Sequence, residues 1–261
     1  MKKKLCTAAV VLCGGIGTRI KEITYKIPKP LIKIQDKPLI WYTISSLLKS
    51  GIDKIIFPLG YKGEMIENYL KKNFKNNLHQ LEIVKTGINT EIIDRIKKIR
   101  YLLNGHNSFI FTNSDTLFNF NLKKFISFHE KNKLNISLSG VKMRSSWGSL
   151  IIKKNNNKLK KFVKNEVIDK YKIKSYPDYE SYRNTGISII DTECLKIIKD
   201  VKSKDFETIL FNSYAKKNKV GTLIFDNFWY PVETKKDYDE LKNDQVLKIK
   251  TNYLKKKLNV K

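Results

Sequence analysis

An α/β fold built on a doubly wound, mainly parallel sheet is predicted by three features of this 261-residue chain. Strand-like and helix-like segments alternate through its first half. The strand-like runs, such as Ile55-Ile56-Phe57 and Phe109-Ile110-Phe111, are short, apolar throughout and made of β-branched and aromatic residues, as in strands buried on both faces. The first run, Ala8-Ala9-Val10-Val11-Leu12, ends abruptly at Gly14-Gly15-Ile16-Gly17-Thr18-Arg19. In open α/β sheets, ligands bind outside the carboxyl ends of the strands.

The elements come in order along the chain. After a strand over 6–12, a helix over 38–50 opens with Pro38 in its first turn and stops at Gly51. A strand over 53–59, a helix over 63–75, a strand over 81–85, a helix over 91–103 and a strand over 108–112 complete the first half. The second half is more mixed. It holds a helix over 121–132, a strand over 134–141, a β-hairpin over 148–163, a loop near 166–182 and a strand over 185–190. Helices over 191–199 and 205–217, a strand over 219–225, a turn at Pro231 and a helix over 234–248 close it. Residues 249–261 are lysine-rich with Leu254 and Leu258, and either extend the last helix or form a solvated tail. With no internal repeat and no linker rich in Pro, Gly or Ser, residues 1–248 read as one Rossmann-like domain with a hairpin insertion.

The glycine turn is the strongest functional signal. Glycine lacks a Cβ, so backbone N–H groups there can approach a phosphate closely. Arg19 adds fixed charge beside the turn, and Lys29 adds more from a stiff extended segment between Pro28 and Pro30. Two better-known phosphate loops do not fit. The dinucleotide fingerprint needs a glycine where Ile20 stands, and the P-loop needs a Gly-Lys pair, which the chain lacks. A plain turn without a ligand is the competing reading, and Arg19 with Pro28-Lys29-Pro30 argues against it. Further on, Thr112-Asn113-Ser114-Asp115 ends a central strand. A carboxylate there suits Mg²⁺, which takes oxygen ligands and shares its shell with phosphates. The plain alternative is a turn or helix cap at Asp115.

Composition narrows the class. Hydrophobic residues make up 41%, with 13 Phe and 13 Tyr, enough for a packed core, while the formal charge is +27. That charge suggests a polyanion, yet only Arg19, Arg95, Arg100, Arg144 and Arg183 of the 52 basic residues are arginine, the usual reader of bases and phosphates. The lysines are also spread along the chain, so specific nucleic-acid binding is not expected. Cys6, Cys13 and Cys194 form no CxxC, which suits a reducing cytoplasm, and His79, His106 and His129 show no zinc spacing. The apolar stretch after Lys2-Lys3-Lys4 is short for a signal peptide, and no run approaches a membrane span.

GGxGTR followed by Pro-Lys-Pro resembles the signature of the sugar-1-phosphate nucleotidyltransferases. Trp41, Gly60-Tyr61-Lys62-Gly63, Thr86-Gly87-Ile88-Asn89-Thr90 with Arg95, and Phe228-Trp229-Tyr230-Pro231-Val232-Glu233-Thr234 are similar to the glucose-1-phosphate cytidylyltransferase branch of that family. The resemblance spans residues 6–245. It implies attack by a sugar-1-phosphate oxygen on the α-phosphorus of a nucleoside triphosphate, here CTP with glucose 1-phosphate, releasing pyrophosphate. It also implies Mg²⁺, a homo-oligomer and a role in making polysaccharide precursors.

The resemblance carries site residues with it. Arg19 and Lys29 hold the reacting phosphates. Leu12, Cys13, Gly14, Gly15, Gly17 and Thr18 form the nucleotide loop, with Thr86, Gly87, Thr90 and Arg95 as cytidine contacts. Thr90 as a helix cap and Arg95 as a solvated helix charge stay open as plainer readings. Asn184 and Gly186 face the sugar, and Asp115 with Glu233 bind the metal. Two departures stand out. Glu233 replaces the family's aspartate, and could instead be a first-turn acid of the following helix. Asn165 stands where the family's sugar-phosphate lysine belongs. Lys164, one residue earlier, is the sugar-phosphate candidate, but in a regular strand it would point to the other face, so either a bulge or a neighbouring lysine compensates or the sugar-phosphate end differs. These departures motivate a second reading, a non-catalytic relative that binds nucleotide or sugar phosphate. A third, a nucleotide-sugar-dependent glycosyltransferase, lacks support because Asp115-Thr116-Leu117 supplies only the first acid of an Asp-x-Asp motif. Other bases, guanylyl, uridylyl or thymidylyl, remain variants of the first reading.

Overall fold

The computed structural model describes residues 6–141, 149–153, 157–163, 179–198 and 205–259. Strand β1 (Ala8–Leu12) is the centre of the molecule. Its small, β-branched residues are buried, with only Leu12 half-exposed. After the glycine loop come a short helix α1 (Lys21–Thr24) and a two-residue hairpin, β2 (Lys33–Ile34) and β3 (Lys37–Pro38). Then α2 (Leu39–Lys49), β4 (Lys54–Leu59), α3 (Gly63–Asn73), β5 (Leu81–Lys85), α4 (Ile92–Ile99) and β6 (Ser108–Asn113) alternate as the sequence predicts. Next are a short strand β7 (Thr116–Phe118), α5 (Leu122–Lys131), β8 (Ile136–Val141), β9 (Ser149–Lys153), β10 (Leu159–Val163) and β11 (Tyr179–Asp191). The chain closes with α6 (Phe206–Ala215), β12 (Val220–Phe225), β13 (Trp229–Pro231), α7 (Lys235–Asn243) and α8 (Gln245–Leu258).

Among the described residues nine strands form one mixed sheet. Its parallel part runs β5-β4-β1-β6, after which β11 lies antiparallel between β6 and β8, and β12 lies parallel to β8. Strands β9 and β10 extend from the Tyr179 end of β11. The chain leaves β1 toward β4 and β5 on one side, then returns to place β6 on the other. The strand order therefore reverses between β1 and β6, and a crevice opens at their carboxyl ends. Leu12 lies opposite Asn113 there. The glycine loop and Asp115 thus face each other across the switch point.

The period of two in β1 divides the core. Ala9, Val11 and Cys13 pack with α2, α3 and α5, while Ala8 and Val10 pack with α4 and α6. A third cluster joins Ile32, Leu39 and Tyr42 to Leu117, Val232, Leu241, Leu254 and Leu258. It seats the C-terminal helices against the loop that carries Lys29.

Several elements differ from the sequence-based expectation. The helix over 234–248 is two helices, broken at Asp244, whose backbone is extended (φ −72°, ψ 124°) and whose carboxylate caps α8 by accepting from the Leu247 N–H at 2.8 Å. The second helix runs through 249–258 with Leu254 and Leu258 buried. The segment near 191–199 is 3₁₀ turn over Thr192–Ile198 rather than α-helix. Residues 179–182, expected in a loop, already belong to β11 and pair with β9; the remainder of that loop, 166–178, lies outside the described residues. The pair β7 and β13 has no counterpart among the elements expected from sequence.

One buried polar group fixes α5 to the sheet. The His129 ring bridges Ser137 Oγ at 2.9 Å and Asp191 Oδ1 at 3.1 Å, and Asn135 Nδ2 donates to Asp191 Oδ2 at 3.0 Å. The trio resembles a nucleophile relay, but Ser137 is fully buried. Its role is structural. His129→Ala should cost about 2–4 kcal/mol of stability, from the cavity and the orphaned Ser137 and Asp191 groups, read by urea unfolding.

Candidate active site

The glycine loop leaves β1 and re-enters regular structure at Gly17, whose φ of +73° places it in the left-handed region that favours glycine. The Ile20 N–H and the Thr24 hydroxyl both donate to the Gly17 carbonyl, at 3.1 and 3.2 Å. Pro28 is extended (φ −65°, ψ 146°), and Lys29 starts a tight turn in which the Ile32 N–H donates to the Lys29 carbonyl at 3.1 Å. This stiff frame aims Lys29 inward. Its Nζ lies 2.5 Å from Asp115 Oδ2, with the two side chains 15% and 25% exposed.

A second carboxylate is brought alongside by the small sheet of β7 and β13. Thr116 pairs with Pro231, and the Val232 N–H donates to the Asp115 carbonyl at 2.9 Å. Glu233 therefore arrives next to Asp115 although 118 positions separate them in the chain. Its carboxylate lies 3.8 Å from Arg19 Nη1. Burial, and then the like charge of Asp115, push the Glu233 carboxyl up to about 7, against the pull of Lys29, Arg183 and Arg19. The first-turn role weighed for Glu233 belongs to Asp237. The Asp237 carboxylate accepts from the Glu233 and Thr234 N–H groups at 2.9 and 2.7 Å, in a capping box with Thr234.

A cavity of about 660 Å³ opens beside this cluster, lined by residues 12–19, Lys29 and Pro30, residues 88–92 with Arg95, and residues 113–115. Its size suits a nucleotide. Most expected nucleotide residues meet in it, including Leu12, Cys13, Gly14, Gly15, Gly17, Thr18, Thr90 and Arg95, together with Arg19, Lys29 and Asp115. Thr86 is buried behind the wall, and Gly87 lines a neighbouring cavity of about 440 Å³. Cys13 is buried, and that burial pushes its thiol up to about 12, against the formation of a reactive thiolate. Thr90 does not cap α4; its hydroxyl donates to the Thr86 carbonyl at 2.7 Å, while Glu91 takes the N-cap position. Arg95 is not solvated. It is 4% exposed and hydrogen-bonded to four protein acceptors.

The sugar-facing candidates adjoin the same crevice from β11. Asn184 Oδ1 accepts from the Gly186 N–H at 3.2 Å, and a Cβ on Gly186 would lie 2.9 Å from Asn113 Nδ2. Lys164, Asn165 and Glu166 lie outside the described residues. Arg183 is not among the residues that sequence reasoning singles out. It is buried, stacks 4.7 Å over the Trp229 ring, and pulls on the Glu233 charge. A lone arginine beside the Asn184-Thr185-Gly186 segment was the available signal.

The donor set fits a hard divalent cation. Asp115 and Glu233 offer two carboxylates; burial first, and then the like charge of Asp115, push the Glu233 carboxyl up to about 7, and a divalent cation beside them would favour its ionised form. Among the described residues no group of three or more His, Cys, Asp and Glu forms a closed metal cage. Two carboxylates with substrate phosphates supplying the rest is the usual Mg²⁺ arrangement.

Known proteins match this chain in sequence and in fold. The sequence profile for nucleotidyl transferases covers residues 8–246. The chain is 28% identical over 252 residues to a probable glucose-1-phosphate cytidylyltransferase of Bacillus subtilis (strain 168), covering 89% of this chain and 94% of that one. It is 27% identical over 235 residues to the D-glycero-alpha-D-manno-heptose 1-phosphate guanylyltransferase of Campylobacter jejuni, covering 88% and 96%. A crystal structure of a putative glucose-1-phosphate thymidylyltransferase from Bacillus anthracis shares the fold, with a TM-score of 0.74 at 16% identity over 89% of this chain and 93% of that one.

Proposed function

We propose, from the premise that the chain belongs to the nucleotidyl transferase family, that it couples CTP to glucose 1-phosphate and releases pyrophosphate. The broader activity is sugar-1-phosphate nucleotidyl transfer. The observation that carries the proposal is the convergence of Lys29 with Asp115, and Arg19 with Glu233, beside a glycine loop at the sheet's switch point. Support for cytidine comes from the Thr86-Gly87-Ile88-Asn89-Thr90 segment with Arg95 and from the Bacillus subtilis relative. The guanylyl and thymidylyl relatives keep other bases in the test set.

The attacking sugar phosphate is already anionic, so no side-chain nucleophile is needed. The task is to bring two highly charged anions into line. Backbone N–H groups of the glycine loop receive the triphosphate, Arg19 holds its outer phosphates, and Lys29 neutralises charge at the reacting ones. Asn184 and Gly186 orient the sugar hydroxyls. Asp115 and Glu233 would hold Mg²⁺, which supplies charge neutralisation at phosphate oxygens. A soluble cytoplasmic enzyme acting as a homo-oligomer in polysaccharide-precursor synthesis fits this reading, and no helix among the described residues is long and apolar enough to cross a membrane.

The test is a panel of CTP, UTP, GTP and dTTP against several sugar 1-phosphates with Mg²⁺, read by pyrophosphate release. CTP with glucose 1-phosphate should be the best pair. Nucleotide binding without turnover on any pair would favour the non-catalytic reading that Glu233 and Asn165 motivate, and Glu233→Asp with Asn165→Lys should then create activity.

A further inference from the structure

Arg95 stands on α4, yet its guanidinium reaches the ends of three parallel strands. Four of its five N–H donors meet protein acceptors. Nη1 donates to the Leu59 carbonyl at 3.2 Å, where β4 ends, and to Thr86 Oγ1 at 2.5 Å, just past β5. Nη2 donates to the Gly14 carbonyl at 3.1 Å in the glycine loop and to the Ile88 carbonyl at 3.2 Å in the opposite cavity wall. Thr86 completes the unit by donating its own hydroxyl to the Leu59 carbonyl at 2.7 Å. The slot is cut to fit. A Cβ on Gly60 would lie 2.6 Å from both Nη atoms, and one on Gly14 would lie 2.5 Å from Nη1. Burial also pulls the guanidinium below its usual pKa, against the smaller opposing pull of Cys13 and Glu91.

We propose that Arg95 is a positioning residue that ties the glycine loop to the ends of β4 and β5, so that the triphosphate cavity has its binding shape before the nucleotide arrives. The inference rests on the reading of that cavity as the nucleotide site. Loops assembled from glycine lose much conformational entropy on ordering, and a ligand that must order them binds more weakly. A buried arginine spanning four acceptors does that ordering in advance. Its donors are then committed to protein, and Thr86 matters through Arg95 although it stands behind the cavity wall.

The test is a double-mutant cycle with Thr86→Val and Arg95→Lys, reading CTP–Mg²⁺ affinity by calorimetry on the full chain. Valine keeps the volume of Thr86 but removes the hydroxyl that Arg95 uses. Each single variant should weaken binding about 10- to 100-fold, as expected for losing a hydrogen bond to a charged group. The double variant should fall within about twofold of Arg95→Lys, because both break one unit. Thr86→Ser should restore wild-type affinity. Hydrogen exchange of the free proteins supplies a readout without ligand. Amides of residues 13–18 and 86–90 should exchange at least tenfold faster in Arg95→Lys than in wild type. Unchanged exchange in the free protein, or Thr86→Val binding like wild type with multiplicative losses in the double variant, overturns the positioning role and makes Arg95 a direct ligand contact. If wild type binds no triphosphate at all, the functional reading fails, and the exchange comparison still decides whether Arg95 orders the loop.

Discussion

Lys29→Ala should lower turnover about 10²- to 10³-fold with little change in overall fold. Three structural facts set that size. The residue is clamped between Pro28 and Pro30, its Nζ sits 2.5 Å from Asp115, and it lines the cavity between the glycine loop and the carboxylates. A cation held so rigidly is present before the reaction begins, so no reorganisation is needed as charge shifts onto the leaving pyrophosphate. Alanine removes this charge and leaves Asp115 and Glu233 to repel each other. Lys29→Arg should be intermediate, because a planar fork cannot occupy the point position of an ammonium. Stability should change by no more than about 1–2 kcal/mol, since the pair is partly solvated. Steady-state pyrophosphate release and a thermal melt separate the two effects. Wild-type turnover in Lys29→Ala would remove Lys29 from the reacting centre.

The parts of this site that could be read from sequence are those whose signal is local. Strand β1 announces itself by five consecutive apolar residues, four of them small or β-branched, and the glycine turn by its place directly after that apolar run. The frame around Lys29 is set by two adjacent prolines. Asp115 was legible because it follows closely on a strand with unmistakable apolar character. Long-range pairing had no such signal. Strands β7 and β13 are three residues each and lie more than a hundred residues apart, too short for any periodicity to emerge. Their pairing is what brings Glu233 to Asp115, so the sequence carried both acids but not the register that joins them. The family resemblance supplied that link instead.

Arg95 shows a different limit. Its sequence context, one basic residue among Asp94, Lys97 and Lys98 on an amphipathic helix, is compatible with a solvated charge. Burial depends on the carbonyls of Gly14, Leu59 and Ile88 converging from a strand end and two separate loops, and backbone carbonyls carry no residue identity. The break at Asp244 was closer to legible. Asn243-Asp244 shortly before the apolar pair Val246-Leu247 is a fair N-cap signal, masked by the helical pattern on either side of it.

Glu233→Gln should abolish most activity while making the metal-free protein more stable at alkaline pH. The carboxyl has an ordinary pKa of 4.5 and stands at about 7 in the folded chain. Between those values the folded state binds more protons than the unfolded one, so stability falls as pH rises from 4.5 to 7 and stays reduced above it. With the side chain 17% exposed, the penalty at pH 8 is of order 2–3 kcal/mol. Glutamine is neutral throughout and escapes it. The variant should therefore melt higher than wild type at pH 8, with the two converging near pH 5. Activity should move the opposite way, falling at least about 10²-fold, because the lost charge is the one that would share a divalent cation with Asp115. Glu233→Asp keeps the charge and should retain activity within about tenfold, at a shorter reach. A parallel pair of thermal melts at pH 5 and pH 8, with and without added Mg²⁺, reads the whole prediction. Mg²⁺ should stabilise wild type more than Glu233→Gln at pH 8, since only an ionised Glu233 can help bind it. If the variant instead melts lower at pH 8 and responds equally to Mg²⁺, Glu233 is a structural acid with its charge satisfied by Arg19 and Arg183, and the metal rests on Asp115 alone.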